Sequence, residues 1–448
     1  MNKLSSKNRK YVYLLTIVLL YIPIMLLGMP ASKKNEGGSL ARLRKEYDLG
    51  ESAIGQVDPS SSTMNLLLLG MRGIATNQLW LQAGHYKDTK NWAALKSAVD
   101  SIIMLQPHYT KVWEFQGWNL AYNVSAEWDS VEDRYYWVKE GGKFLMRGCR
   151  RNEKNPDIHW HTGNLHSKKI GRSDEWKFFR KFYVSDPNEE AFQKGPDPEF
   201  NPEGTDNYLA AKEWFDQANE KEKTVQQHIM IPVLFRHYPS RALLDYADTL
   251  HREGKFGDRS RQAWEDSFKE LTEVFGRMRI EVPPGEIILE ADSESVKSLA
   301  DEFDTTEEEI AFWIIKYQNV ANYRYWRARS SIESEELMMA AHKDVYDGEE
   351  LYKKGRLLQA RKKLYEGLVK FTSTLNLISQ RNPGLNINNL DENLTEEVIL
   401  AIIYFTNTYT LNGQKPPESF PLKNIVKGRP DIFGRALQEF HYQNQSNN

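Results

Sequence analysis

The chain has 448 residues, with 59 Lys and Arg against 62 Asp and Glu, a formal net charge of −3 and one cysteine, Cys149. That length buries ample apolar surface in two or three domains or in one extended repeat array. The near-balanced charge excludes the concentrated basic surface of a nucleic-acid binder, and a single cysteine excludes a disulfide framework or a Cys-only metal site.

Residues 1–10 are a basic tail with Lys3, Lys7, Arg9 and Lys10, and residues 11–29, "YVYLLTIVLLYIPIMLLGM", carry no formal charge. At ~1.5 Å per residue this run approaches the ~30 Å of a bilayer core. The expectation is a transmembrane signal anchor over 11–29, with a cleaved signal peptide as the alternative and a buried soluble helix third. Basic residues also follow the run, at Lys33, Lys34, Arg42, Arg44 and Lys45, so the positive-inside count is close to even. A short basic tail before a first apolar segment, and the translocation of large domains regardless of charge, place residues 30–448 on the extracytoplasmic side of an inner or cytoplasmic membrane. Residues 30–63 read as a tether, and "MNLLLLGM" (64–71) as a core helix too short to span.

The remainder carries the helical period almost throughout. Residues 64–184 read as N-terminal helical hairpins: apolar residues recur at Leu79, Ala83 and Tyr86, then at Trp92, Leu95, Val99 and Ile102, with "KDTKN" between the runs and Pro107 after them. Leu79, Ala83 and Tyr86 correspond to Trp113, Gly117 and Leu120, each 34 positions later. Ala83 and Gly117 are small where a neighbouring helix must pass close. Residues 185–207, "SDPNEEAFQKGPDPEFNPEGTDN", form an acidic loop rich in Pro and Gly and a boundary between groups of hairpins. Residues 208–278 read as middle helical hairpins, 279–292 ("RIEVPPGEIILEAD") as an irregular linker with room for a short strand, 293–380 as a C-terminal helical region, and 381–448 as C-terminal helices and tail. The 12 Trp, 22 Tyr and 19 Phe mostly pack between helices, leaving a minority for a binding face.

This pattern resembles the tetratricopeptide repeat (TPR), a 34-residue helical hairpin with W-x2-L-G-x2-Y, A-x3-F and a closing Pro. The first copy is Leu79, Ala83, Tyr86, Leu95, Val99, Ile102 and Pro107; the second opens at Trp113, Gly117 and Leu120 and is lengthened by "NVSAEWDSVED". Residues 346–371 supply Gly348, Leu351, Gly355, Ala360, Leu364 and Gly367, and a looser copy runs from Ala242 to Phe275. The stretches "RGIATNQLW", "VWEFQGWNLAYNVS" and "NYRYWRAR" are also similar to membrane-anchored bacterial TPR-like proteins, a likeness that brings no activity with it. The resemblance implies an all-α fold, an α-solenoid of TPR-like hairpins behind the N-terminal anchor, and a groove lined by the first helix of each hairpin. The groove candidates are Trp80, Lys87, Lys111, Glu114, Trp118 and Tyr122.

Two constellations carry residue types suited to chemistry. "HWHTGNLH" (159–166) places His159, His161 and His166 close in sequence, but without HExxH spacing or a Cys pair it reads as a repeat helix, and no metal or cofactor is expected. "ESVKSLADEFDTTEEEIAFW" (294–313) resembles both a helix-turn-helix and the helical half of a LysM glycan-binding module. Glu307, Glu308 and Glu309 open its second helix, against a DNA reader, and the closing LysM strand is missing from the pattern that follows. No phosphate loop, nucleophile elbow or kinase signature occurs. The expected function is therefore non-enzymatic: a membrane-tethered TPR-like scaffold of the bacterial cell envelope that binds a protein or peptide. The alternative is a LysM-like structural protein with cell-wall glycan as its partner.

Overall fold

The computed structural model describes residues 6–27, 38–39, 42, 72–333, 335–381 and 392–445. The expected tether (30–63), the run 64–71 and the exit "RNPGLNINNL" (381–390) lie almost wholly outside these residues. The described chain is all-α apart from one two-stranded sheet, and it divides into Met1–Gln116 and Gly117–Asn448.

In the first unit, helix α1 (Ser6–Leu27) contains Pro23. Among the described residues no helix is long and apolar enough to cross a membrane. This overturns the transmembrane signal anchor over 11–29, and with it the placing of residues 30–448 outside a cytoplasmic membrane. The first turns of α1 hold Lys7, Arg9 and Lys10, so among the described residues its uncharged part is 11 to 27. At ~1.5 Å per residue that part reaches about 25 Å, short of the ~30 Å core.

Helices α2 (Arg72–Asp88) and α3 (Trp92–Leu105) pack as a pair. Asn91 caps α3 by accepting from the Ala94 N–H at 3.2 Å, the side-chain role that favours Asn before a helix. Ala83, Leu95, Val99 and Ile102 are buried, as their 3.6-residue spacing requires. Helix α4 (Thr110–Trp118) carries the boundary between the units; its Trp113 ring donates from Nε1 to the Pro107 carbonyl at 2.9 Å.

In the second unit the chain continues from α4 through a π-helical turn, Asn119–Val124, to helix α5 (Val131–Arg151). Gly117 and Gly141 meet where the two elements cross. A Cβ on Gly117 would fall 2.5 Å from Leu145 Cγ, and one on Gly141 would fall 2.6 Å from the Gly117 carbonyl oxygen. The close approach expected at Gly117 is thus present, and its other half is a glycine on the partner helix.

Helix α6 (Pro156–Asn164) packs on α9 (Asn207–Glu222), with α7 (Trp176–Val184) and the short α8 (Glu189–Phe192) between them in sequence. The acidic segment 185–207 is pinned to α5: Lys139, itself buried, bonds Asp186 at 2.6 Å and Asp197 at 3.1 Å, and Lys143 bonds Asp197 at 2.7 Å. Helix α10 (Pro232–Arg252) pairs with α11 (Asp258–Lys269). The 279–292 segment holds a hairpin, β1 (Ile280–Val282) antiparallel to β2 (Gly285–Ile287), in register Ile280 to Ile287; Pro283 and Pro284 turn it.

Helices α12 (Ser293–Glu302), α13 (Glu307–Val320), α14 (Tyr323–Glu333), α15 (Glu336–Lys353), α16 (Leu357–Arg381), α17 (Glu392–Thr410), α18 (Lys423–Gly428) and α19 (Pro430–Gln445) complete the chain. The α15 and α16 pair turns at Gly355, whose φ of +72° suits glycine. It packs so closely that Cβ atoms on Gly348 and Gly367 would lie 2.7 Å from Leu364 Cγ and from Val345 Cγ2. One continuous apolar core runs from Tyr208 to Phe440, and a smaller cluster gathers Trp160, Phe215 and Phe235.

Candidate functional site

The six groove candidates fall into separate small groups. In the first unit Trp80 meets the Phe115 ring edge-on at 5.1 Å and Tyr109 at 6.1 Å, and the Lys87 ammonium lies 5.9 Å over Phe115. Lys111 pairs with Glu114 at 2.6 Å, an i,i+3 contact. In the second unit Trp118 stacks on Tyr122 at 5.1 Å with half its surface exposed, and Lys169 lies 4.9 Å over the Tyr122 ring. Trp118 therefore forms a surface platform, while Trp137 stacks on Trp128.

The three histidines of 159–166 do not converge. His159 and His166 each turn Nδ1 onto the carbonyl four residues back, Asn155 at 2.8 Å and Thr162 at 2.9 Å. Burial pushes His166 down to about 4, so it is a neutral core residue between Tyr183 and Phe200. Cys149 is buried beside Thr162, and burial pushes its thiol up to about 12, away from nucleophilic use.

In the 294–313 element, Thr306 caps α13 by accepting from the Glu309 N–H at 3.2 Å, while the Glu309 side chain turns to the Thr305 hydroxyl at 2.9 Å. Both strands of the sheet precede α12, and α14 follows α13 directly.

The most chemically loaded place is elsewhere, where helices α7, α10, α15, α17 and α19 bring charged residues together around a cavity of about 500 Å³. Helical spacing aims each set at one face. From α10 come Asp248, His251 and Arg252; from α15 come His342, Tyr346, Glu349, Glu350 and Lys353; Glu396 and Glu397 of α17, Glu439 of α19 and Trp176 and Lys177 of α7 complete the polar wall. Seven carboxylates line it against four Lys or Arg side chains. Arg252 and Glu253 are already engaged, with Trp176 at 4.4 Å and Arg180 at 2.7 Å.

At the floor of the cavity is a buried chain of ion pairs. Arg329, fully buried, bonds Asp248 at 2.6 Å and Glu333 at 2.7 Å. Glu333 in turn bonds His342 Nε2 at 3.0 Å, and Glu397 holds His342 Nδ1 at 2.7 Å. Burial alone would lower His342, but Glu397 and Glu333 outweigh it and raise it to about 10. Burial would raise Glu333, but His342 and Arg329 hold it down to about 2. The His251 ring lies 4.3 Å from that of His342, tilted 36° to it. Burial, then the neighbouring His342, push His251 down to about 3, so it is neutral, and neither of its ring nitrogens has a hydrogen-bond partner. Burial raises Glu349 to about 8, Lys353 working against it and Glu397 and Glu439 with it.

The chain matches no family model and no curated protein. The chemistry of the site is read from this geometry: His251, Glu333 and His342 each offer a ligand atom, all within 4.8 Å of one another, the only such group among the described residues. Sequence reasoning missed it because the residues lie on three helices. The available signal was His342, Tyr346, Glu349 and Lys353 at i, i+4, i+7 and i+11, a polar stripe along a helix whose other face is apolar.

Proposed function

We propose that the chain is a non-enzymatic binding protein, built of helical hairpins stacked like the TPR α-solenoid its sequence resembles. Its binding site is the carboxylate-lined cavity, and its partner is a protein or peptide segment presenting a Lys or Arg side chain. The observation that carries this reading is the carboxylate-rich wall of a cavity of about 500 Å³, where Glu350, Glu396 and Glu439 come from three different helices, large enough for such a side chain with its flanking backbone. A low-dielectric wall strengthens attraction for a cation beyond its value in water, while a few groups in an interface carry most of the energy. Glu350, which also meets Lys353 at 3.2 Å, and Glu439, on different helices, are the groups assigned to the partner's charge. The platform of the half-exposed Trp118 on Tyr122 is a second surface of the same scaffold.

Calorimetric titration of the full chain with a short capped peptide carrying one central lysine tests this, with the norleucine and glutamate versions as controls. Saturable binding of the lysine peptide alone, weakened about tenfold by Glu350→Gln with Glu439→Gln, is expected. Equal binding of the norleucine peptide, or none of the lysine peptide, refutes it.

A further inference from the structure

We propose that His251, Glu333 and His342 form a site for one divalent transition-metal ion, with Glu397 and Arg329 as its outer shell and an open coordination position facing the cavity. This goes beyond the peptide reading and does not depend on it.

The donor set is two imidazoles and a carboxylate, the combination that holds zinc in some hydrolases and iron(II) in facial-triad sites. Each donor is already prepared. His342 has its Nδ1 fixed by Glu397 Oε1 at 2.7 Å, which leaves Nε2 as the ligating atom, the usual second-shell arrangement of a metal histidine. Glu333 has Oε1 fixed by Arg329 Nε at 2.7 Å, which leaves Oε2. His251 is buried with only 3 % of its surface exposed, lines the cavity and spends neither ring nitrogen on a hydrogen bond. A buried polar group without a partner costs free energy, and a metal supplies one.

The distances suit one ion. Glu333 Oε2 lies 3.0 Å from His342 Nε2 and 3.9 Å from His251 Nδ1. With metal bonds of ~2.1 Å these separations subtend about 90° and about 135°, within the range of a four- to six-coordinate ion after small side-chain shifts. All three donors lie within 4.8 Å of one another, a bound that exceeds twice such a bond by only about 0.6 Å. The ion takes the place of the proton between His342 Nε2 and Glu333 Oε2, which leaves to solvent through the cavity. His251 and His342 line the cavity and Glu333 does not, which assigns the free coordination position to the space where a ligand enters. Two nitrogen donors disfavour calcium and magnesium, which prefer all-oxygen sites.

The test is calorimetric titration of the full, chelator-stripped chain with zinc chloride, without peptide. Expected are one zinc per chain, calcium and magnesium at least ~100-fold weaker, and zinc binding weakened roughly 10–100-fold by Glu397→Gln and abolished by His251→Gln. His161→Gln, away from the cluster, leaves it unchanged. If His251→Gln does not fold, cobalt(II) added to the wild-type chain decides: visible bands of a low-coordinate imidazole site support the proposal, and the spectrum of hexa-aquo cobalt overturns it. No saturable zinc binding, or zinc binding indifferent to both cluster substitutions, also overturns it. The peptide titration, run without metal, reports separately on the binding reading.

Discussion

Gly141→Ala is the sharpest probe of how tightly the hairpins pack. Helix α5 crosses the element carrying Gly117 so closely that a Cβ on Gly141 would lie 2.6 Å from the Gly117 carbonyl oxygen and 3.0 Å from both the N and the Cβ of Ala121. Two of these three neighbours are backbone atoms, which cannot rotate away, so the helices must separate. Overpacking of this kind costs about 1–3 kcal/mol. Alanine in a helix interior returns roughly 0.5–1 kcal/mol relative to glycine, so the net loss is on the order of 1–2 kcal/mol. Gly434→Ala is the matched control in the same unit: it sits inside α19 with nothing within 4 Å of its Cβ position. There only the helix term remains, and a gain of roughly 0.5–1 kcal/mol is expected. Urea denaturation followed by circular dichroism should therefore move the two midpoints in opposite directions. If Gly141→Ala shifts the midpoint upward, as Gly434→Ala does, the close crossing is refuted.

Trp118→Ala should cost about 1 kcal/mol or less, the worth of one exposed aromatic stack, because Trp118 is half exposed and rests on Tyr122. Trp264→Ala, at a ring with no exposure, should cost about 3–5 kcal/mol; equal losses in thermal melts would contradict the assignment of Trp118 to the surface. Acid should destabilise the protein partly through His166, whose folded value of about 4 is set by burial and lies below the ~6.5 of an unfolded histidine. The unfolded chain then takes up the proton first, so this contribution is complete above pH 6.5 and is lost as the pH falls from 6.5 toward 4. Between pH 7 and pH 5 the loss is about 2 kcal/mol. In denaturant titrations at the two pH values, His166→Phe should lose that much less stability than the wild type; an identical loss would show that His166 titrates normally.

The helical character of the chain was legible in the sequence because it depends on neighbours three and four residues apart. Leu95, Val99 and Ile102 are buried at that period, Asn91 and Thr306 cap the helices they precede, and Gly117 and Gly348 sit where helices touch. The apolar run at 11–29 was legible only as composition: whether it could span depended on α1 beginning among Lys7, Arg9 and Lys10 and on its described end at Leu27. The segment 185–207 looked like a solvated acidic loop, yet Asp186 and Asp197 are buried against Lys139 and Lys143, a pairing made across some 50 residues of chain. Histidines close in sequence at 159–166 bond their own helix backbone, while His251, Glu333 and His342, from three helices, converge within 4.8 Å. Spacing along a helix tells which side chains share a face. Only packing decides which faces meet, and the cavity with its buried ligand set exists solely where several such faces do.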